Sequence, residues 1–264
     1  MKKLFTPLLI LIFGFSAGML NTSFEKPKLI VPKQDSAINL NQTFLKLFSI
    51  GQTRLLSDIL WIITLLESDT DHYKSRDLGS WMYRRFNSII YLDPKFYNAY
   101  LFGGQYLGIV KDDLEGAADI YLKGLKQYPE DYNLLFHSGF LFAFEKRDSK
   151  QAVGIYEKLV TFPQAPPYMQ TLLYKLKFQS NSMSPEDTLE SLKIVLQEIE
   201  NQPVLKGQIE SDIYALKSFI DLKCLSEGRD NCEKIDFEGN PYIFKNGEWV
   251  TPKAIKPYGI KYKD

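Results

Sequence analysis

DPKFYNAYLFGGQYLGIVKDDLEGAADIYLKGLKQYPED, residues 93–131, runs directly into YNLLFHSGFLFAFEKRDSKQAVGIYEKLVTFP, residues 132–163. The second stretch is a loose copy of the first. Gly104 and Gly139, Ala117 and Ala152, and Tyr121 and Tyr156 are each 35 residues apart, while Pro94, Pro129 and Pro163 are spaced by 35 and 34. Self-similarity at one fixed period is the mark of stacked supersecondary units, and a period near 34 belongs to units of two antiparallel helices.

The periodicity within each copy agrees. In 98–110, Leu101, Gly104, Leu107 and Gly108 share one helical face. Each glycine costs about 1 kcal/mol in helix propensity, a cost tolerable where another helix backbone must come close. In 114–127, Leu114, Ala117, Ala118, Tyr121, Leu122 and Leu125 form the facing stripe. VKDDLEG is the polar turn inside the pair, and Asp93-Pro94 and Pro129-Glu130-Asp131 end one helix and open the next.

Ala117, Tyr121, Gly124 and Pro129 resemble the second helix of a tetratricopeptide repeat. Ala152, Tyr156, Leu159 and Pro163 follow the same order in the next unit, and Met82, Phe86, Ile89 and Pro94 in the one before. Gly104 and Gly139 stand where the family's first helix has a small residue, although its aromatic start is shifted or missing. The resemblance covers residues 75–165, roughly a third of the chain. It implies an all-α, antiparallel helix-pair solenoid that binds a protein or peptide partner on its concave side. In that family the first helix of each pair lines this side. Asn98, Tyr100, Gln105, Asn133 and His137, on helices 98–110 and 132–144, are therefore the candidate partner contacts.

The chain opens MKKLFTPLLILIFGFSAGML. Two lysines followed by an uncharged apolar run make the pattern of a secretory signal. Leu4–Leu20 would span about 25 Å as a helix, the short end of a bilayer crossing. Two fates are open. The run stays as a single inner-membrane anchor with Lys2 and Lys3 in the cytoplasm, or it is cleaved near Ser16, Ala17 and Gly18. Either fate places the rest in the periplasm of a bacterial cell. The expected organisation is a signal or signal-anchor at 1–23, a linker at 24–41 containing Pro27 and Pro32, a helical domain at 42–225 and a C-terminal cap at 226–264.

Outside the clear repeats, 42–66 reads as one helix, strongly apolar at Ile59–Leu66. That stretch is either a core helix under the first repeat or a face for a partner or membrane. Ser184-Pro185-Glu186-Asp187 is a strong helix start, with an N-cap serine, proline at the first position and acids in the first turn. Its helix extends to about Asn201, and another covers 205–225. Cys224 and Cys232 bracket a short polar loop, and an oxidising compartment favours their disulfide. Asn246-Gly247 between YIF and WV predicts a small β-hairpin. The stretch DFEGNPY, residues 236–242, is similar to a segment near the end of type II secretion pseudopilins.

With 32 basic and 32 acidic residues, the chain has no net charge to favour a nucleic-acid partner. It has no phosphate-binding glycine loop, nucleophile elbow or His/Cys metal spacing. His72 sits in a polar loop with Asp69, Asp71 and Asp77, which lack the spacing and central glycine of a calcium loop. His137 reads as a packed or rim histidine. No catalytic, cofactor or metal residue is expected. The reading is a non-enzymatic, membrane-anchored periplasmic scaffold, for instance in assembly of a pilus or secretion system. The alternatives are an envelope enzyme with a site built from scattered residues, or a structural subunit of a larger complex.

Overall fold

Side-chain caps set six of the ten described helix starts. In the computed structural model, Asn41 caps Gln42–Phe48 (α1), and Ser80 accepts from the Tyr83 amide at 3.1 Å to open Trp81–Leu92 (α3). Between them lies Thr53–Leu66 (α2). Tyr97–Gln105 (α4) is followed by Leu114–Gln127 (α5), capped by Asp113 at 2.9 Å from the Gly116 amide. Tyr132–Phe140 (α6) is capped by Asp131 at 2.8 Å, and Ser149–Leu159 (α7) by Asp148 at 3.0 Å. Tyr168–Gln179 (α8), Pro185–Glu198 (α9) and Pro203–Ser226 (α10) complete the helices described from Gln42 onward, with Ser184 capping α9. The structure describes residues 37–69, 79–199 and 202–260, together with Ser16, Gln34 and Tyr73. Asn39–Asp264 forms one compact unit, distinct from Met1–Ile38.

Successive helices pack on one another, compatible with a helical repeat fold. α2 packs on α3, α4 on α5 and α6 on α7, and the first helices α4 and α6 also meet. The sequence period reappears in the backbone. α4 and α6 each end in one π-helical turn, Tyr106–Val110 and Leu141–Glu145. The turn is closed by Lys111 N–H to Tyr106 O at 3.1 Å in one unit and Lys146 N–H to Leu141 O at 2.9 Å in the other. Asp112 and Arg147 then take positive φ of 57° and 55°, placing the capping Asp113 and Asp148.

The core is a set of rings against missing side chains. A Cβ added at Gly104 would fall 2.5 Å from the Tyr121 ring, and one at Gly139 would fall 2.9 Å from Tyr156. Gly124 returns the contact, since a Cβ added there would fall 2.9 Å from the Tyr100 side chain. Burial raises the hydroxyl pKa of both Tyr121 and Tyr156. The two glycines of the sequence pattern thus make room for side chains of the second helix, chiefly the tyrosine rings, rather than for a helix backbone as expected.

Two expectations need correction, both on the segment 42–66, and one further helix appears inside the expected helical domain. The helix expected over 42–66 is broken at residues 49–52, because Ile50 and Gly51 both take positive φ, 49° and 81°. Within α2, Ile59, Ile62, Ile63, Leu65 and Leu66 are exposed, so the apolar run is no buried core helix even though α2 packs on α3. α8 is an additional helix, introduced by Pro166 and Pro167. Among the described residues no helix is long and apolar enough to cross a membrane. Leu4–Leu20 lies outside the described residues apart from Ser16.

At the C-terminal end, β1 (Ile243–Lys245) pairs antiparallel with β2 (Glu248–Val250), Phe244 opposite Trp249. Asn246 and Gly247 both have positive φ, the requirement of the tight hairpin turn their sequence predicts. β2 packs on α10. The sulfurs of Cys224 and Cys232 lie at bonding distance, 2.00 Å. The DFEGNPY stretch clips this segment to α10. Asp236 accepts from the Glu238 and Asn240 amides at 2.9 and 2.8 Å and from the Tyr214 hydroxyl at 2.8 Å. Tyr242 donates to Asp221 at 2.8 Å.

Candidate protein-binding face

On α4 and its π turn, the exposed positions recur as Asn98, Phe102 and Ile109, with Gln105 half-buried between them. They share one face at helical spacing. Adding the period of 35 gives Asn133, His137, Phe140 and Phe144 on α6 and its π turn, of which Asn133 and Phe140 are exposed and His137 and Phe144 half-buried. The two first helices therefore present equivalent stripes, each about 17 Å long. Phe102 and Phe140 remain 48% and 46% exposed on them.

The stripes are held in register by contacts between units. Asp131 caps α6 and also accepts from the Tyr97 hydroxyl at 2.9 Å, tying the start of α4 to the start of α6. The Tyr128 hydroxyl donates to Lys95 O at 2.9 Å across the same junction. Tyr132 packs edge-on against Phe162 and stacks with Phe136, whose ring meets His137 at 5.2 Å. Burial lowers the His137 pKa, so its imidazole is neutral near pH 7.

Four of the five candidate contacts, Asn98, Gln105, Asn133 and His137, lie on the stripes. Tyr100 does not. It is 4% exposed, with its ring against Gly124 and its hydroxyl donating to Pro94 O at 2.9 Å. Its position, two residues beyond Asn98 on a helix, turns it inward. The aromatic character assigned to Tyr100 belongs instead to Phe102 and Phe140. Their signal was present in the sequence: each falls on the helical face that the glycines leave free.

Asp69, grouped with Asp71 and Asp77 in a polar loop, pairs with Lys111, and its other oxygen accepts from the Trp81 indole at 3.2 Å. Lys111 is nearly wholly buried, so this pair anchors the loop before α3 to the π turn. His72, Asp71 and Asp77 lie outside the described residues. Among the described residues no group of three or more His, Cys, Asp or Glu could hold a metal ion.

The face offers exposed rings, terminal amides and a neutral imidazole. Rings supply contact area to an apolar side chain, and amides satisfy backbone or side-chain polar groups. Such a surface suits an amphipathic peptide segment. Compared with models of known families and with curated proteins, the sequence matches none.

Proposed function

We propose that the protein is an exported, membrane-anchored scaffold of the tetratricopeptide type, holding a protein or peptide partner on the first-helix face. The observation that carries this reading is the recurrence, 35 residues apart, of an exposed aromatic-and-amide stripe on two equivalent helices.

The repeat type is supported by the pairing of successive helices and by the small-residue contacts between them. The period of 35 exceeds the family's 34 by one residue. Both first helices nonetheless end in the same π turn, so the two units share one backbone design. The membrane attachment rests on Lys2, Lys3 and Leu4–Leu20, and the periplasmic location on the same segment. Assembly of an envelope machine such as a pilus or secretion system is the role that fits an anchored peptide-binding scaffold.

The experiment is in-cell cross-linking followed by purification of the full-length protein. Phe102→Glu with Phe140→Glu should leave the thermal melt nearly unchanged, since both rings are half in solvent. It should also remove the cross-linked partner, because it places charges on the face that would hold it. Recovery of the partner at the wild-type level would exclude this face.

A further inference from the structure

α2 carries its apolar side outward. Leu55, Ile59, Ile62 and Leu66 recur at the spacing of one helical face, and Leu55, Ile62 and Leu66 are 56%, 55% and 81% exposed. The opposite side, against α3, buries Ser57 and Thr64. Their hydroxyls donate back to Arg54 O and Leu60 O at 2.7 and 2.6 Å, so the helix satisfies its own polar groups. Trp61 supplies the packing on that side, against the rings of Phe86 and Phe96. Burying hydroxyls while exposing leucines is unfavourable in water unless something covers the apolar face. Leu47, Phe48 and Ile50 extend the same exposure into α1 and the turn after it.

We infer that this face of α2 lies on the lipid surface of the membrane to which the chain is tethered. Two observations favour lipid over a protein partner. Lys46 and Arg54 are exposed on the two helices against one exposed carboxylate, Asp58, the charge balance suited to anionic headgroups. The chain between Leu20 and Gln42 reaches at most about 75 Å when fully extended, so an anchor at Leu4–Leu20 would raise the effective concentration of α2 near a bilayer. An amphipathic helix so placed rests in the headgroup–acyl boundary. The inference rests on the anchor reading.

The test uses the full-length chain carrying Ile62→Cys, whose two native cysteines are joined to each other, labelled with an environment-sensitive fluorophore. It is reconstituted in phosphatidylethanolamine–phosphatidylglycerol vesicles. The label should shift to the blue, be quenched by nitroxide-bearing lipid and be shielded from aqueous iodide. The same label at Ile194→Cys, an exposed apolar position on α9, should show none of these. Sedimentation with the vesicles without lipid quenching at Ile62 would overturn the inference and leave the anchor standing. Failure to sediment would overturn both. A blue shift that is unaffected by lipid nitroxide, but grows with protein concentration, would assign the face to a second copy and overturn it as well.

Discussion

Gly104→Ala tests the packing of first helix on second. A Cβ at this position would meet three atoms of the Tyr121 ring at 2.5, 2.5 and 2.8 Å, where carbon atoms normally rest at about 3.5–4.0 Å. The ring must retreat by about 1 Å, and it is itself only 2% exposed, so the strain spreads into the core. Overpacking of this kind costs about 1–3 kcal/mol, and the gap puts this case toward the upper end. Alanine recovers about 1 kcal/mol of helix propensity, leaving a net loss of about 1–2 kcal/mol. Gly154→Ala, on α7, is the matched control. It adds the same atom where no other group lies within 4 Å, so it should stabilise by about 1 kcal/mol. Urea melts followed by helical circular dichroism would separate the two variants by about 2–3 kcal/mol. In a Tyr121→Leu background the penalty of Gly104→Ala should shrink toward zero, since the two sites are in contact. A Gly104→Ala protein as stabilised as Gly154→Ala would refute the described packing.

Other consequences follow from single sites. Replacing Cys224 and Cys232 by serine should cost about 2–3 kcal/mol through loss of loop closure, and thiol labelling of the unfolded, unreduced wild type should find no free thiol. Asp113→Ala removes the α5 cap and the acceptor of the Ser80 hydroxyl together. It should cost about 2 kcal/mol or more in a melt, beyond a simple cap loss of about 1. The pKa of His137 is lowered in the fold, so the unfolded chain binds its proton first as pH falls. Stability from this site is therefore complete above the ordinary histidine range near 6.5 and declines as pH falls below it, a decline His137→Gln should reduce in pH-dependent melts.

The helical pairs were legible because their determinants are local and repeated. Gly104, Gly139, Tyr121 and Tyr156 stand at one period, and the caps at Asp113, Asp131 and Asp148 follow ordinary capping rules. The hairpin was equally legible, since Asn246-Gly247 permits few other turns. The break in 42–66 was signalled only by Gly51, and the apolar residues around it outweighed one glycine. The exposure of Ile59–Leu66 was hidden for a different reason. Hydrophobic pattern shows which residues share a face, not which face meets the protein, and here Ser57 and Thr64 occupy the inner side. Tyr100 and Phe102 show the same limit at the candidate site. Both are aromatic residues of one helix, and only the position of the neighbouring helix decides which is buried. The Lys111–Asp69 pair spans residues distant in sequence, and nothing local marks it.

The central claim is that the first-helix stripe holds a protein partner. Its most direct measurement is site-specific photo-cross-linking in cells, with the reactive amino acid placed singly at Phe102, at Phe140, and at the exposed second-helix positions Gln151 and Glu157 on α7. The account predicts adducts with one shared partner from Phe102 and Phe140 and none from Gln151 or Glu157. Adducts from the α7 positions alone, or equal yields from all four, would contradict it.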